Sequence, residues 1–546
     1  MIQALAPTMR RGCSWVWLSL VLAGLVVWPA YARAQDAKAR SAAAKGAPAP
    51  KKEAAKEKDD DEGDAPAAAA AAEAPSVNPG GTFETFKDER AEKALEVFKS
   101  VPGLRDCPPQ VVSQVRAMAA AAAAADRDEI QRFVDGMAYR LTDKSNINGL
   151  IAPPPNTKPG VDPSRAIKDA SINLIDSLNA AKQVRNAGFL QVYNQVLIAT
   201  LPKLLDNNLV PRVQAMIVLG ETGDPAAIPV FINQLKDPNQ TVWVKLWAAR
   251  GISNVADNGA RVDQALSVQQ ASAAAKALAD FLDAEKDAPW PAQVRALEGI
   301  GAMRQASVPV NMNKVEMAAV ALRLLADPEA KPEVRAAAAW ALGMVRVNPA
   351  VSGYNFNLVA HHIGRFAAEI GAQAAQSFPK PKAKPKAAAK AAEKAAAKPA
   401  AKDEAAHEEP AAPEPAGNQT LSEYLSGLLV APVFQAFNGV DGVRESGLLK
   451  QPNLGQAATI VKQVADLQSA LARASVEMVR GTPGQFEAHV QDLKDRVAAL
   501  NALLAKSPPK DFHLVPGNGP EYRPAAGEVA DANAAPAKAV GAPGGR

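Results

Sequence analysis

A ten-residue pattern occurs four times between residues 205 and 347, and it limits what this chain can fold into more than any other feature. The pattern has alanine at its fifth place and leucine or isoleucine at its ninth. Two positions four residues apart lie on one face of a helix, and a small residue there lets a neighbouring helix approach closely. We therefore predict a row of similar helices. The four segments are PRVQAMIVLG from Pro211, VKLWAARGIS from Val244, AQVRALEGIG from Ala292 and VRAAAAWALG from Val334.

Other helices and their ends follow from local patterns. Glycine occupies the tenth place of three segments, at Gly220, Gly301 and Gly343, and is predicted to end each helix as a C-cap. The proline-rich stretch 144–163 predicts irregular structure. Apolar residues at helical spacing predict helices at 109–125, 127–142, 164–184 and 187–206, and partner helices of the repeated segments at 224–235, 271–282 and 313–325.

The stretch LGETGDPAAIPVFINQLKDP, from Leu219 to Pro238, closely resembles the signature of the HEAT repeat in its short bacterial, PBS-lyase-type variety. The resemblance is strong over 205–347 and weak over the rest of 82–378. It implies an all-α fold with an α-solenoid of HEAT-like repeats over 82–378, and it is specific for fold but not for function. In HEAT-like families a basic residue at the second place commonly joins an Asp ladder between repeats, whereas lining a binding groove is the alternative role. The structural ladder implied here consists of Arg212, Asp237, Lys245, Asp327 and Arg335.

The N-terminus carries the pattern of a secretory signal peptide over residues 1–34. Arg10 and Arg11 precede an apolar run that ends at Trp28, and a small-residue cleavage site follows at Ala34. A membrane anchor is the alternative, but the run falls short of the roughly 20 residues that a spanning helix needs. We expect cleavage after Ala34, export to the periplasm or cell envelope of a bacterium, and a mature chain that does not span the membrane. Its single cysteine, Cys107, excludes an internal disulfide.

Two segments consist almost wholly of Ala, Lys, Glu, Asp and Pro, and ordering them would cost backbone entropy with nothing to bury. Residues 35–81 are therefore predicted to be a disordered tail and residues 379–416 a disordered insertion. Pro and Gly return after Ser507, which predicts a second disordered tail over 507–546.

Both sides of the insertion carry apolar stripes that need a partner. We predict that the helices at 357–376 and 420–437 pack together across 379–416, so that 417–455 continues the last repeat. Two heptad stripes joined by a Gly/Pro turn predict an antiparallel helical hairpin over 456–506. The side chains expected to be buried across the insertion are Leu358, Ile363, Phe366, Leu428, Val430 and Phe434.

Residue types with catalytic chemistry form no constellation in this sequence. His361 and His362 are adjacent, about 100° apart around a helix, so they cannot chelate one metal ion together. We predict no catalytic, cofactor-binding or metal-binding residue. The net charge of +4 gives no global field that would attract nucleic acid.

Lysine is dense between residues 380 and 402, where the only acidic residue is Glu393. A self-repelling spacer and a tether for an anionic polymer are the two interpretations. No aromatic residue interleaves with the lysines, so nucleic acid is not an expected partner. The candidate polyanion contacts are Lys380, Lys382, Lys384, Lys386, Lys390, Lys394, Lys398 and Lys402.

The leading hypothesis for function is a non-enzymatic protein-interaction scaffold of the cell envelope with an unidentified protein partner, since a solenoid offers an extended surface. An envelope tether that binds an anionic polymer through its Lys/Ala/Pro segments is one alternative. A HEAT-like lyase-type enzyme is another, because some short HEAT-like proteins resemble lyases that attach pigments. No nucleophile in the sequence supports that last reading.

Overall fold

The structure is a computed structural model that describes residues 86–121, 124–151, 162, 164–259, 266–377, 417–441, 443, 445–481 and 485–523. Contacts divide the chain into two units, one of Met1–Ser76 with Ser145–Arg165 and one of Val77–Lys144 with Ala166–Arg546. The described residues are mostly helical, which confirms the predicted all-α class. The predicted signal peptide, the 35–81 tail and the 379–416 insertion lie outside the described residues.

The elements follow one another as helices with one short strand pair at the end. Short 3₁₀ turns lie at Leu201–Leu204, Pro225–Ala227, Pro309–Lys314, Leu448–Lys450 and Gly455–Ala457. The helices are α1 (Glu89–Leu95), α2 (Pro109–Ala120), α3 (Arg127–Thr142), α4 (Lys144–Ile151), α5 (Arg165–Gln183), α6 (Ala187–Thr200), α7 (Leu209–Thr222), α8 (Ile228–Lys236), α9 (Val242–Gly259), α10 (Val268–Ala284), α11 (Trp290–Met303), α12 (Glu316–Ala326), α13 (Pro332–Met344), α14 (Phe356–Ser377), α15 (Gly417–Leu428), α16 (Phe434–Asn438), α17 (Ala458–Arg480) and α18 (Phe486–Lys506).

Helix α4 falls where the sequence predicted irregular structure. The prolines that motivated this prediction come later in the stretch, from Pro153 onward, whereas the preceding residues from Lys144 to Ile151 contain no proline and form a helix. The prediction was therefore wrong for 144–151, because the prolines restrict only the residues beside them.

Short polar side chains begin several helices. The Asp126 carboxylate accepts hydrogen bonds from the backbone N–H groups of Asp128 and Glu129 at the start of α3. Ser267 and Gln270 form a reciprocal capping box at the start of α10. Such caps satisfy backbone N–H groups that have no partner within the helix, and each stabilises its helix by about 1 kcal/mol.

The four repeated segments form helices that pack side by side in chain order: α7 on α9, α9 on α11, and α11 on α13. A second row of helices, α8, α10, α12 and α14, packs in the same order, and helices of the two rows also contact one another. The fifth-place alanines are fully buried at these contacts, which confirms the burial predicted for Ala338. They are Ala215, Ala248, Ala296 and Ala338.

The tenth-place glycines do not cap helices, and the prediction that they would was wrong. Gly220, Gly301 and Gly343 lie inside α7, α11 and α13. A Cβ atom on Gly220 would lie 3.3 Å from the Cα atom of Gly251 on α9. One on Gly343 would overlap the backbone of Ala436, and one on Gly301 would overlap a tryptophan ring of α13. These glycines therefore permit close packing between neighbouring helices.

Helices α14 and α15 pack together although residues 378–416 separate them in the sequence. The Ser422 hydroxyl of α15 donates a hydrogen bond of 3.2 Å to the carbonyl oxygen of Ala374 on α14. Leu358, Ile363 and Phe366 of α14 are fully buried, as expected from the sequence.

A π-helical turn at Leu429–Val433 changes which residues are buried after α15. This turn contains Pro432, which cannot donate a backbone hydrogen bond. The wider turn inserts one residue into the helical repeat, so the apolar stripe shifts. Leu428 and Phe434 are only partly buried and Val430 is 40% exposed, contrary to prediction. The buried residues are instead Leu425, Leu429, Val433, Ala436 and Phe437.

Helices α17 and α18 pack against each other and against α14. Beyond them, residues 507–523 are folded, where the sequence predicted a disordered tail. Strand β1 (His513–Val515) pairs antiparallel with β2 (Asn518–Glu521). Asn355, next to the start of α14, holds this pair, since its backbone N–H donates 2.9 Å to the Leu514 carbonyl. The apolar Leu514 and Val515 are buried there, which offsets the cost of ordering this short segment. Residues 524–546 lie outside the described residues.

Candidate interaction surface

The basic residues at the second place of the repeated segments bridge to the segment that follows. Arg212 Nη1 donates to Gln240 Oε1 at 3.2 Å. Lys245 Nζ lies 2.5 Å from Glu285 Oε1, and Arg335 Nη1 lies 2.8 Å from Glu369 Oε1. Gln240 returns a bond of 3.1 Å to the carbonyl oxygen of Leu205. Polar bonds therefore connect successive helix pairs.

The predicted acidic partners, Asp237 and Asp327, have a different role. The Asp237 carboxylate accepts from the backbone N–H of Asn239 at 2.8 Å, and Asp327 accepts from that of Glu329 at 2.9 Å. Each Asp thus stabilises its own Asp-Pro turn. In such a turn the backbone N–H two residues after the Asp can donate to its carboxylate. This local hydrogen bond forms without ordering a distant side chain. The structure pairs Lys245 and Arg335 with Glu285 and Glu369 instead.

Glu285 is the centre of an ion-pair cluster that the sequence did not reveal. Arg90 Nη1 and Nη2 contact its two carboxylate oxygens at 2.7 and 2.8 Å, and Lys245 donates to the same carboxylate. The side chain of Lys245 is only 4% exposed. The hydrogen bonds from Arg90 and Lys245 lower the pKa of Glu285 to about 2, although burial acts in the opposite direction.

The segment before α2 is attached to α9 through the same cluster. The Asp88 carboxylate accepts from the backbone N–H of Val242 at 2.8 Å, at the start of α9, and also pairs with Arg90 at 2.9 Å. Phe86 lies edge-on to the ring of Trp243, with centroids 6.4 Å apart. A side chain 154 residues away in sequence therefore caps α9.

A pocket of about 500 Å³ opens beside the cluster. Phe281, Leu235 and two alanines of α10 give it an apolar floor, and Lys236 and Asp280 lie at its rim. Because Arg90, Lys245 and Glu285 satisfy one another, the arrangement is that of a structural clamp.

The tryptophans of the described residues share one location. Four tryptophans follow the predicted signal peptide, and all lie on α9, α11 and α13. Between residues 242 and 255 of α9, every side chain is buried except Trp243, Trp247, Arg250 and Asn254, which step by four, three and four residues. Such a spacing defines one narrow stripe on the helix. Within residues 242–255, two large aromatic rings therefore lie on the one side of α9 that is not fully buried.

The neighbouring helices also carry incompletely buried side chains, and on α11 the stripe that they form is shifted by one place at Trp290 and Val294. On α11 it is formed by Trp290, Val294 and Glu298, and Trp290 is 38% exposed. On α13 only Trp340 is incompletely buried between residues 334 and 345. We call the combined set the tryptophan face: Gln214, Ile217, Glu221, Trp243, Trp247, Arg250, Asn254, Trp290, Val294, Glu298 and Trp340.

At each end of the tryptophan face, a hydrogen bond joins a residue of the face to a neighbouring helix. On α5, the Ser171 hydroxyl donates to Gln214 Oε1 at 2.6 Å. On α16, Gln435 Oε1 accepts from Trp340 Nε1 at 3.0 Å. The repeat pattern predicts only which side of these helices is buried. The sequence signal that could have located the surface is the four-residue spacing of Trp243 and Trp247 on the other side of α9.

The adjacent histidines are both buried and lie on α14. Their rings are 6.1 Å apart and nearly perpendicular. His362 Nε2 donates to the carbonyl oxygen of Tyr522 at 3.0 Å. Burial lowers the pKa of His361 and of His362 to about 4. Within the part of the chain that the structure describes, no group of three or more His, Cys, Asp or Glu side chains is placed to hold a metal ion.

The eight lysines proposed as polyanion contacts, from Lys380 to Lys402, lie outside the described residues. No helix in the described ranges is both long and apolar enough to cross a bilayer. Comparison with models of protein families, with curated proteins and with solved structures yields no match for this chain.

Proposed function

We propose that this chain is a non-enzymatic interaction scaffold of the cell envelope, in which a HEAT-like solenoid and a C-terminal helical hairpin present the tryptophan face to a protein partner. The single observation that supports the proposal is that Trp243, Trp247 and Trp290 are incompletely buried on two adjacent helices whose other side chains are mostly buried. The pattern of the first 34 residues supports export.

Incompletely buried tryptophan is informative because indole is large and mostly apolar. Each ring that a partner covers removes apolar surface from water, at about 25 cal/mol per Å². Tryptophan and arginine are also enriched among the residues that dominate binding energy at interfaces. The tryptophan face combines both, with Arg250 placed one turn from Trp247.

The proposal is tested by placing a photo-crosslinking amino acid at position 294, on the tryptophan face, and at position 280, on α10, in cells of the native host. We expect a discrete crosslinked species from position 294 that is lost in Trp247→Ser and absent from position 280. Equal crosslinking from both positions, or crosslinking that survives Trp247→Ser in a protein of unchanged melting profile, would contradict the proposal.

The second candidate function is an envelope tether, favoured by the eight lysines between residues 380 and 402. Counterion release would make such binding weaken steeply with salt. Removing 379–416 should then abolish sedimentation with cell-wall polymer at low salt, whereas Trp247→Ser should leave it intact. The opposite pair of results favours the scaffold.

A further inference from the structure

Residues 507–523, here called the strap, close over the beginning of α14 through a small number of polar bonds. Asn355 Nδ2 donates to the Asp511 carbonyl at 2.8 Å, and its backbone N–H donates to Leu514. At the other end, the Tyr522 hydroxyl donates to the Ala319 carbonyl of α12 at 3.1 Å. These bonds and the buried side chains of Leu514, Val515 and Tyr522 hold the strap in place.

His362 joins the helix to the strap at a site where a charge is unfavourable. The residue is 4% exposed, and its Nε2 donates to the backbone carbonyl of Tyr522. This hydrogen bond uses one ring nitrogen of the neutral imidazole as a donor. A second proton, bound at Nδ1, would place a positive charge in this buried site. Nδ1 would then also be a hydrogen-bond donor.

Of the groups that face His362, the Tyr522 carbonyl favours a charged ring, but burial outweighs it, and the charged or titratable side chains nearby oppose a positive charge. On α14 these are His361 and Arg365, and on α13 the guanidinium of Arg335, which pairs with Glu369. The strap contributes the neutral phenol of Tyr522, which itself lies near Arg323 of α12 and Asp283 of α10. Where α17 and α18 meet α14 at Gly364, they present the apolar side chains of Val464 and Leu504.

We propose that the strap is an acid-released cover, held closed at neutral pH by the neutral form of His362 and opened when this imidazole takes up a proton. Opening relieves the buried charge, since the ring then reaches water. It also uncovers Tyr354, which is 7% exposed in the closed state, and leaves the Ala319 carbonyl free to accept another donor.

The direction of the pH effect follows from linkage. A histidine whose pKa is lower in the closed state than in the open state favours closure above its ordinary value of 6.5, and this advantage is lost as pH falls toward about 4. At pH 5 the ratio of closed to open protein should be about 20-fold lower than at pH 7.

Amide hydrogen exchange followed by mass spectrometry measures the opening directly. After correction for intrinsic exchange, the amides of Asn355 and Tyr522, which bond to Leu514 and Phe512, should lose about 20-fold protection between pH 7 and pH 5. The amides of α9 serve as an internal reference and should stay protected. His362→Gln, which keeps a donor for the Tyr522 carbonyl but does not titrate, should show no such loss. His489→Gln on α18 is the matched control and should behave as the wild type.

Three results would each overturn the proposal. They are the same loss of protection in His362→Gln as in the wild type, no change in the protection of the strap in the wild type, and a loss of protection that includes α9. If His362→Gln does not fold, the titration of the His362 ring in the wild type, followed by its own proton resonance, decides instead. An apparent pKa of 6 or above overturns the proposal, and a value near 4 or 5 supports it.

Discussion

Glu285→Gln should be among the most destabilising single changes in the chain, although it alters the shape of one side chain very little. The variant leaves Lys245, whose side chain is 4% exposed, without a charged partner. Removing one partner of a buried ion pair costs about 3–5 kcal/mol, whereas an exposed pair contributes at most about 1 kcal/mol. Arg90 is 29% exposed and retains Asp88, so its share of the loss should be small.

Urea unfolding followed by tryptophan fluorescence measures the effect, because Trp243 and Trp247 lie on the helix that carries Lys245. Asp283→Asn is the control: Asp283 lies in the last turn of α10, two residues before Glu285, is 57% exposed, and pairs with Arg323 at 2.9 Å. We expect the control to change stability by less than about 1 kcal/mol. Adding Lys245→Met to Glu285→Gln should recover part of the loss, because no unpaired charge then stays buried.

The pH dependence of this pair gives a second readout. Glu285 has a lowered pKa, so its contribution is present above its ordinary value of 4.5 and is lost as pH falls toward about 2. The difference between wild type and Glu285→Gln should therefore shrink over this interval. If Glu285→Gln is no more destabilising at pH 7 than Asp283→Asn, the reasoning about the cluster is refuted.

Further changes test the packing and the processing of the chain. Ala338→Asp should lower stability by several kcal/mol, because it buries an unpaired charge, and an unchanged melting temperature would contradict the buried register. Gly343→Ala should lower the free energy of unfolding by about 1–3 kcal/mol, because the added methyl group would overlap a backbone on α16. Gly427→Ala, whose methyl group would meet no atom within 4 Å, should raise the free energy of unfolding by up to about 1 kcal/mol. Thermal unfolding measures both effects. Replacing 379–416 by a short Gly/Ser loop should preserve one cooperative transition, since loop length adds only about 1 kcal/mol of closure entropy, and two transitions in calorimetry would contradict this. N-terminal sequencing of the mature protein should begin at Gln35, and an intact membrane-embedded N-terminus would refute export with cleavage.

The sequence predicted what depends on neighbours in the chain. Helical spacing located α2, α3, α5 and α6 within a few residues, and the fifth-place alanines, such as Ala338, were correctly predicted to be buried. What it missed depends on residues far apart in sequence. Gly343 looked like a helix end because its contact, Ala436, lies on another helix. The repeat resemblance predicted that Lys245 pairs with the nearby Asp237, although its partner Glu285 comes 40 residues later.

The candidate surface was missed for a related reason. A repeat register indicates which positions are buried, and it is silent about what the remaining positions do. Trp247 occupies a place that in the aligned segments holds Gln214, Arg295 and Ala337, so the repeat pattern itself does not mark it as part of a surface. Only the packing of α9 on both sides leaves its ring on the solvent side.

The clamp between α1 and α10 sets the order in which this chain can complete its fold. Arg90 bonds to a residue 195 positions later. At a synthesis rate of about 5–20 residues per second, Glu285 emerges roughly 10–40 s after Arg90. Throughout that interval Arg90 lacks the Glu285 carboxylate with which it pairs. The part of the chain that is made first therefore reaches some of its native contacts only after Glu285 has been synthesised.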